Sequence, residues 1–164
     1  MTPRITLATA GRVLAQLRHD HRTLGLLLFV PAALLTLLWW MYEGGPTFDA
    51  IGPALLALFP FIGMFLVTSV ATLRERTSGT LERLLAMPTG KLDFLLGYAL
   101  AFGLMATLQA LIAAGVAVGL LGLDVAGPTS LLIVVAILDA LLGVALGLFV
   151  SAFAATEFQV VQFM

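Results

Sequence analysis

The chain has 164 residues, of which 61% are apolar and 10% are charged, and it contains no cysteine. Typical soluble domains have about 45–50% apolar and about 25% charged residues, so these values exclude an ordinary soluble enzyme and a disordered chain. The length fits one domain. A mean hydropathy of +1.11 indicates a membrane protein, and a formal net charge of −1 leaves no basic surface for nucleic acid.

The first segment, residues 1–23, is predicted to form an amphipathic helix. Thr2 and Pro3 favour a helix start. At about 100° per residue, arginines gather on one side and apolar residues on the other. The apolar side consists of Leu7, Ala10, Val13, Leu14, Leu17 and Leu24. This pattern favours a helix lying on the cytoplasmic membrane surface; the alternative is a basic flank that only sets the topology.

Four apolar segments are long enough to cross a membrane, because a bilayer core about 30 Å thick requires roughly 20 apolar residues in a helix. They are residues 24–42, 51–73, 92–121 and 130–153. The predicted fold class is therefore all-α: a polytopic membrane helix bundle with four transmembrane helices, an amphipathic N-terminal helix and a short cytoplasmic helix in the 74–91 segment. The whole chain, 1–164, forms a single membrane domain.

The basic residues fall in two groups. They are Arg4, Arg12, Arg18 and Arg22 before the first span, and Arg74, Arg76, Arg83 and Lys91 between the second and third. The loops at 43–50 and 122–129 contain no basic residue. The positive-inside rule then places the N-terminus and the 74–91 segment in the cytoplasm. Trp39, Trp40 and Tyr42 fit an aromatic belt at the opposite interface, and a bacterial inner membrane is the simplest location.

The 74–91 segment is predicted to contain a short helix between two turns. Residues 77–80 interrupt the helix that leaves the membrane, and Ser78 or Thr80 can cap a new helix. Met87-Pro88 ends it after about eight residues. Leu81, Leu84 and Leu85 then share one face. Either a partner protein or the membrane surface must cover these leucines, and the periodicity alone does not choose between them.

This segment resembles the cytoplasmic loop of type-2 ABC transporter permeases, the exporters of drugs, antibiotics and polysaccharides. The matching residues are Glu75, Arg76, Gly79, Thr80, Leu81, Glu82, Leu84, Leu85 and Pro88, followed by Leu95, Leu96 and Gly97. The order of spans around the loop is also similar, as is the segment 151–164. Residues 154–164 look like the start of a fifth span that is cut off after Met164, whereas family members usually have six spans.

The resemblance implies a fold, a partner and a function. In the family, the short helix is a coupling helix that docks in a separate ATPase subunit. The implied ATPase-contact residues are Glu75, Arg76, Gly79, Thr80, Leu81, Glu82, Leu84 and Leu85, of which Glu75 and Arg76 brace the loop. ATP and Mg would bind to that partner and no cofactor to this chain. The chain would be a permease subunit exporting a lipophilic substrate, paired with an identical or different second permease subunit. The alternative is a non-transporting membrane scaffold or assembly protein whose loop binds a partner.

Two polar residues and a set of small residues stand out within the spans. Asp139 lies near the middle of the fourth span, where a carboxylate costs about 2.5–3.5 kcal/mol on insertion scales. Gln109 lies at a similar depth in the third span, so the two are predicted to form a structural polar pair; the alternatives for Asp139 are lining a pathway and carrying a proton. The residues Gly115, Gly119, Gly143, Gly147 and Ser151 recur at four-residue spacing, which favours close helix packing.

Catalytic and metal-binding motifs are missing from the sequence. There is no Walker-type phosphate loop, no Gly-x-Ser-x-Gly elbow and no His-Glu-x-x-His zinc motif. His19 and His21 point to different sides of a helix and have no further histidine or cysteine to join them. We therefore expect no catalytic residue and no metal site, and ATP hydrolysis is expected on a separate subunit.

Overall fold

The computed structural model describes residues 3–79 and 91–164. The described helices are α1 (Pro3–His19), α2 (His21–Met41), α3 (Pro46–Thr77), α4 (Lys91–Ala114), α5 (Thr129–Ser151) and α6 (Glu157–Gln162). A π-helical segment, Gly115–Leu120, continues α4. No strand occurs among the described residues, and the predicted all-α membrane bundle is confirmed.

Four helices are long and apolar enough to cross a membrane: His21–Met41, Pro46–Thr77, Leu92–Leu120 and Thr129–Ser151. Their outward surfaces carry large apolar side chains such as Phe29, Leu104 and Leu138, which are more than half exposed. A helix satisfies its own backbone hydrogen bonds, so such a surface is stable against lipid. The chain is thus a multi-pass membrane protein.

Local chemistry explains where α1 gives way to α2 and where α3 begins. Asp20 breaks the helix and caps α2, because its Oδ1 accepts a hydrogen bond from the backbone N–H of Thr23 at 3.1 Å. The Thr23 hydroxyl donates to Asp20 Oδ2 at 2.6 Å. Pro46 stands in the first turn of α3, where its missing N–H removes no helical hydrogen bond.

Helix α1 packs one of its sides against α4. Ala10, Val13 and Leu17, on the predicted apolar side, are buried in this contact. Leu7, also on the predicted apolar side, is 65% exposed, while Thr6 is buried. The reason is Gly97 of α4, where an added Cβ would lie 2.6 Å from Thr9 Cβ and 3.0 Å from Thr6 O, so the threonine side of α1 makes the close approach.

The loops at 43–50 and 122–129 meet at one end of the bundle. The backbone N–H of Asp124 donates to Asp49 Oδ1 at 3.0 Å. At the opposite end lie α1, α6, the first turns of α2 and α4, and the last turns of α3 and α5. We call this the basic end, because every arginine of the described chain belongs to it. The described arginines of the two predicted groups, Arg4, Arg12, Arg18 and Arg22 of the first and Arg74 and Arg76 of the second, therefore lie at one end of the bundle.

Candidate functional site

An ion pair at the basic end joins α1, α3 and α4. Arg12 Nη1 donates to Glu75 Oε1 at 3.1 Å, and Arg12 Nη2 donates to the Tyr98 hydroxyl at 2.6 Å. The guanidinium carbon lies 5.6 Å from the centre of the Tyr98 ring. The side chains of Arg12 and Glu75 are 31% and 16% exposed, and Tyr98 is buried. The last turn of α3, from which the 80–90 segment departs, is thus fixed to two other helices.

Arg76 fixes the same turn of α3 to the end of α5. Its guanidinium donates to the backbone carbonyl oxygens of Ala152 and Ala154. These carbonyls follow the last residue of α5, Ser151, where a helix has unsatisfied acceptors and a partial negative charge. Arg76 therefore caps α5 with a charged donor while it holds the start of the 80–90 segment.

We expect Arg76→Gln to loosen the end of α5. The glutamine amide is shorter and uncharged, and cannot replace two charge-assisted hydrogen bonds, so the local stability should fall by about 1–2 kcal/mol. Amide hydrogen exchange of residues 152–155 should become faster. Arg18→Gln, at an exposed arginine of α1, is the control and should leave that exchange unchanged. Equal exchange in wild type and Arg76→Gln would show that Arg76 does not cap α5.

A third arginine, Arg74, joins α3 to the start of α6. Arg74 Nε donates to Glu157 Oε1 at 2.7 Å. This hydrogen bond lowers the pKa of the Glu157 carboxyl below its ordinary value. Both side chains are more than half exposed, so the pair contributes little stability. The pKa of Asp20 is also lowered, mainly by the hydrogen bond from the Thr23 side chain.

The predicted ATPase-contact residues divide into two groups. Thr80, Leu81, Glu82, Leu84 and Leu85 lie outside the described residues, as does Pro88. Glu75, Arg76 and Gly79 are described and stand at the end of α3. Gly79 has a φ of +71°, in the left-handed region that favours glycine, and its N–H donates to Arg76 O at 3.2 Å. Gly79 thereby turns the chain away from α3, as the predicted helix interruption requires.

The two polar residues within the spans do not form the predicted pair. Gln109 is fully buried in α4, and neither amide atom has a hydrogen-bond partner among the described residues. Its Nε2 lies close to α3, 2.8 Å from where a Cβ would stand on Gly63. Asp139 is half-buried on α5. The hydrogen bond between them is absent because Gln109 points towards α3; a pathway role for either stays a prediction.

The predicted small packing residues lie in two different environments, one in a tight helix contact and one without close neighbours. A Cβ added to Gly143 would collide with the carbonyl oxygen of Phe61, and one added to Gly147 would lie 2.7 Å from Phe65 O. Ser151, two turns from Gly143, is buried and donates to Leu148 O at 2.7 Å. These residues lie where α5 packs against α3. Gly115 and Gly119 instead belong to the π-helical segment, with no atom within 4 Å of an added Cβ.

No cluster of three or more potential metal ligands occurs in the residues that the structure describes. The network at the basic end is the densest set of charged contacts in the described chain. Glu75 and Arg76 were predicted to brace this region, but the contact of Glu75 with Arg12, and of Arg12 with Tyr98, was not predicted. No local sequence pattern indicates these contacts, because Arg12 is 63 positions from Glu75 and 86 positions from Tyr98 in the chain.

Comparison with known proteins identifies the family of the chain. The model of the ABC-2 type transporter family matches residues 8–164, and the chain belongs to this family. Two relatives, from Escherichia coli strain K12 and Escherichia coli O157:H7, are each named "Probable multidrug ABC transporter permease YbhR". Each is 32% identical over 107 residues, which cover 65% of this chain and 29% of the relative.

The chain therefore spans less than a third of the length of the relatives it matches. No solved structure matches it at a significant level. Family membership identifies the chain as part of an ABC-2 type transporter.

Proposed function

We propose that the chain couples ATP hydrolysis by a separate ATPase subunit to the export of a lipophilic substrate. The basic end faces the cytoplasm, because arginine and lysine concentrate on the cytoplasmic side of membrane proteins. A bacterial inner membrane is the proposed location. The complete exporter contains a second permease subunit, identical or different, and two ATPase subunits that bind ATP and Mg. The substrate crosses between the two permease subunits.

The network around the end of α3 is the observation that carries this proposal. Coupling requires that a movement of the 80–90 segment is transmitted to several membrane spans at the same time. Glu75 ties the departure point of that segment to α1 and α4, and Arg76 ties it to the end of α5. A force applied to this segment would therefore act on several helices at once, and not on α3 alone.

The proposed contact with the ATPase rests on the leucines of the 80–90 segment. A small apolar anchor ringed by charges is suited to docking in a groove of a partner. Few charges within the spans fit a lipophilic substrate. The relatives' names, which contain the words multidrug and permease, are consistent with this substrate class.

Co-purification tests the ATPase contact. The tagged chain is extracted in mild detergent together with the ATPase encoded beside it. We expect Leu84→Glu to reduce the retained ATPase at least about tenfold, because a buried unpaired carboxylate at an apolar contact costs more than 1.4 kcal/mol. The chain should still insert in the membrane, since residue 84 lies outside the spans.

Leu84→Met is the matched control, because it keeps an apolar side chain of similar size. It should retain the ATPase as well as the wild type does. Equal retention by Leu84→Glu and the wild type would overturn the docking claim. A wild-type chain that retains no ATPase would instead favour the non-transporting scaffold.

A further inference from the structure

A groove of about 610 Å³ lies at the basic end, where the last turns of α1 meet the start of α2. We call it the α1–α2 groove. Its described lining combines small or apolar residues with basic side chains: Gly11, Leu14 and Ala15, and Arg18, His19 and His21. No carboxylate occurs among the described residues that line it. The groove is therefore apolar along one part and cationic at the other.

The apolar part follows one stripe of α1. Leu7, Gly11, Leu14 and Arg18 succeed each other at intervals of three or four residues and so share one face of the helix. Leu7 is 65% exposed. No atom lies within 4 Å of a Cβ added to Gly11, so the space above this glycine is open. A hydrocarbon chain can thus lie along the stripe, which ends at a guanidinium.

The guanidinium of Arg18 is available to a ligand. Arg18 is exposed and forms no ion pair within the described part of the chain. The nearby carboxylate of Asp20 does not line the groove, and its two oxygens accept hydrogen bonds from the backbone and the hydroxyl of Thr23 at 3.1 and 2.6 Å. Because a guanidinium can donate two parallel hydrogen bonds to a phosphate, an anion of this kind fits Arg18.

The net charge of the whole basic end also favours an anion. Seven basic residues of the described chain belong to it, the six arginines and Lys91. Four acidic residues belong to it: Asp20, Glu75, Asp93 and Glu157. The 80–90 segment adds one residue of each sign, Glu82 and Arg83. With the histidines neutral, three positive charges remain in excess, and their field attracts anions.

The cationic part of the groove lies at the depth of the lipid phosphates. The first candidate span begins at His21, so Arg18 and His19 stand just outside the hydrocarbon core. Basic pockets between transmembrane helices at a membrane surface bind anionic lipid headgroups. Soluble phosphate has the same charge, but it would leave Gly11 and Leu14 in contact with water. A ligand with both a phosphate and a hydrocarbon chain fills both parts of the groove.

We propose that the α1–α2 groove binds one anionic phospholipid, with its phosphate on Arg18 and an acyl chain over Gly11 and Leu14. Because the lining comes from both helices, the lipid holds the end of α1 to the start of α2. The lipid is a resident ligand and not cargo. Its binding is independent of the proposed export function, since it requires only that the basic end lies at a membrane surface.

Two lipids with the same acyl chains and different headgroup charge test this site. The full chain in a nonionic detergent, without ATPase, is titrated with dioleoylphosphatidylglycerol or dioleoylphosphatidylcholine, and binding of the first lipid is followed by native mass spectrometry. We expect the phosphatidylglycerol to bind at least about tenfold more tightly, because it adds a net negative charge that the cationic lining attracts. Equal affinity for the two lipids would overturn the proposal.

Removal of single arginines locates the phosphate. Arg18→Gln should lower the preference for phosphatidylglycerol to less than about threefold, since an amide keeps hydrogen-bonding groups but loses the charge. Arg4→Gln is the matched control, because it removes the same charge from another exposed position of α1. It should keep the tenfold preference. Equal weakening by both variants would show attraction by the net charge of the basic end alone and would overturn the assignment to the groove.

Filling the groove locates the acyl chain. Gly11→Leu places a side chain where the structure leaves open space, and it should weaken phosphatidylglycerol binding at least about tenfold. Ala8→Leu, at an exposed position of α1 outside the groove, should bind as the wild type does. Unchanged binding by Gly11→Leu would overturn the placement of the chain, and Arg18→Gln keeps the test decisive if Gly11→Leu does not fold.

The outcomes separate the lipid site from the proposed function. Loss of the lipid preference in the wild type leaves the ATPase contact standing, because no ATPase enters the titration. A lipid preference that depends on Arg18 and Gly11, in a chain that retains no ATPase in the co-purification, establishes the lipid site and overturns the export function.

Discussion

Arg12→Ala is expected to lower the free energy of unfolding by about 2 kcal/mol, although Arg12 is an arginine near the surface. Its removal leaves the Glu75 carboxylate without its charged partner, and this carboxylate is only 16% exposed. The Tyr98 hydroxyl also loses the hydrogen bond that Arg12 donates to it. The expected loss of unfolding free energy is smaller than for a fully buried ion pair, because the Arg12 side chain is 31% exposed. Equilibrium unfolding in mixed micelles, followed by circular dichroism, measures the change.

A double-mutant cycle isolates the contact between Arg12 and Glu75. Once Glu75→Gln has removed the carboxylate, Arg12→Ala should cost about 1 kcal/mol less than it does in the wild type. Tyr98→Phe keeps the ring and removes only the hydroxyl, so it reports that hydrogen bond separately. If Arg12→Ala changed the free energy of unfolding by less than about 0.5 kcal/mol, the value typical of a plain surface site, the network would not hold α1 in place.

The second large effect is expected at the contact of α3 with α5. In Gly143→Ala the new methyl group meets the carbonyl oxygen of Phe61, which belongs to a helix backbone and cannot rotate away. The two helices must separate, and we expect a loss of about 1–3 kcal/mol in the free energy of unfolding. Gly147→Ala should behave in the same way, because its methyl group would lie 2.7 Å from Phe65 O.

Gly115→Ala is the matched control for this prediction. It makes the same change in the π-helical continuation of α4, where no atom lies within 4 Å of the new methyl group. Its free energy of unfolding should stay within about 0.5 kcal/mol of the wild type. Equal losses at Gly143 and Gly115 would mean that close packing of α3 on α5 is not the cause.

The spans and the fold class were predictable because hydropathy and length report directly on the membrane. The glycine pattern was less informative. Spacing of four shows where a backbone can approach another closely, but not whether a neighbour is there. Gly143 and Gly147 meet α3, whereas Gly115 and Gly119 do not meet a described residue. Only the three-dimensional arrangement of the helices distinguishes these two cases.

The sequence did not reveal which side chains contact each other across helices. Arg12 belongs to the polar side of α1 and was interpreted as one of several charges that set the topology. Its contact with Glu75 depends on α1 folding back onto α4, a tertiary event without a local signal. Gln109 was assigned a partner by depth alone, but depth does not give the direction in which a side chain points.

The most direct test of coupling is whether ATP moves the basic end through the 80–90 segment. The chain has no native cysteine, so spin labels can be attached to the substitutions Leu26→Cys and Leu92→Cys, both at exposed positions of the described chain. Their distance is measured by pulsed electron paramagnetic resonance in the complex with the ATPase, without nucleotide and with ATP and vanadate. We predict that the distance distribution differs between the two nucleotide states of the wild-type complex. In Leu84→Glu mixed with the same ATPase, which this variant does not retain, the distribution should be the same in both states. An identical distribution in every nucleotide state of the wild-type complex would contradict the account.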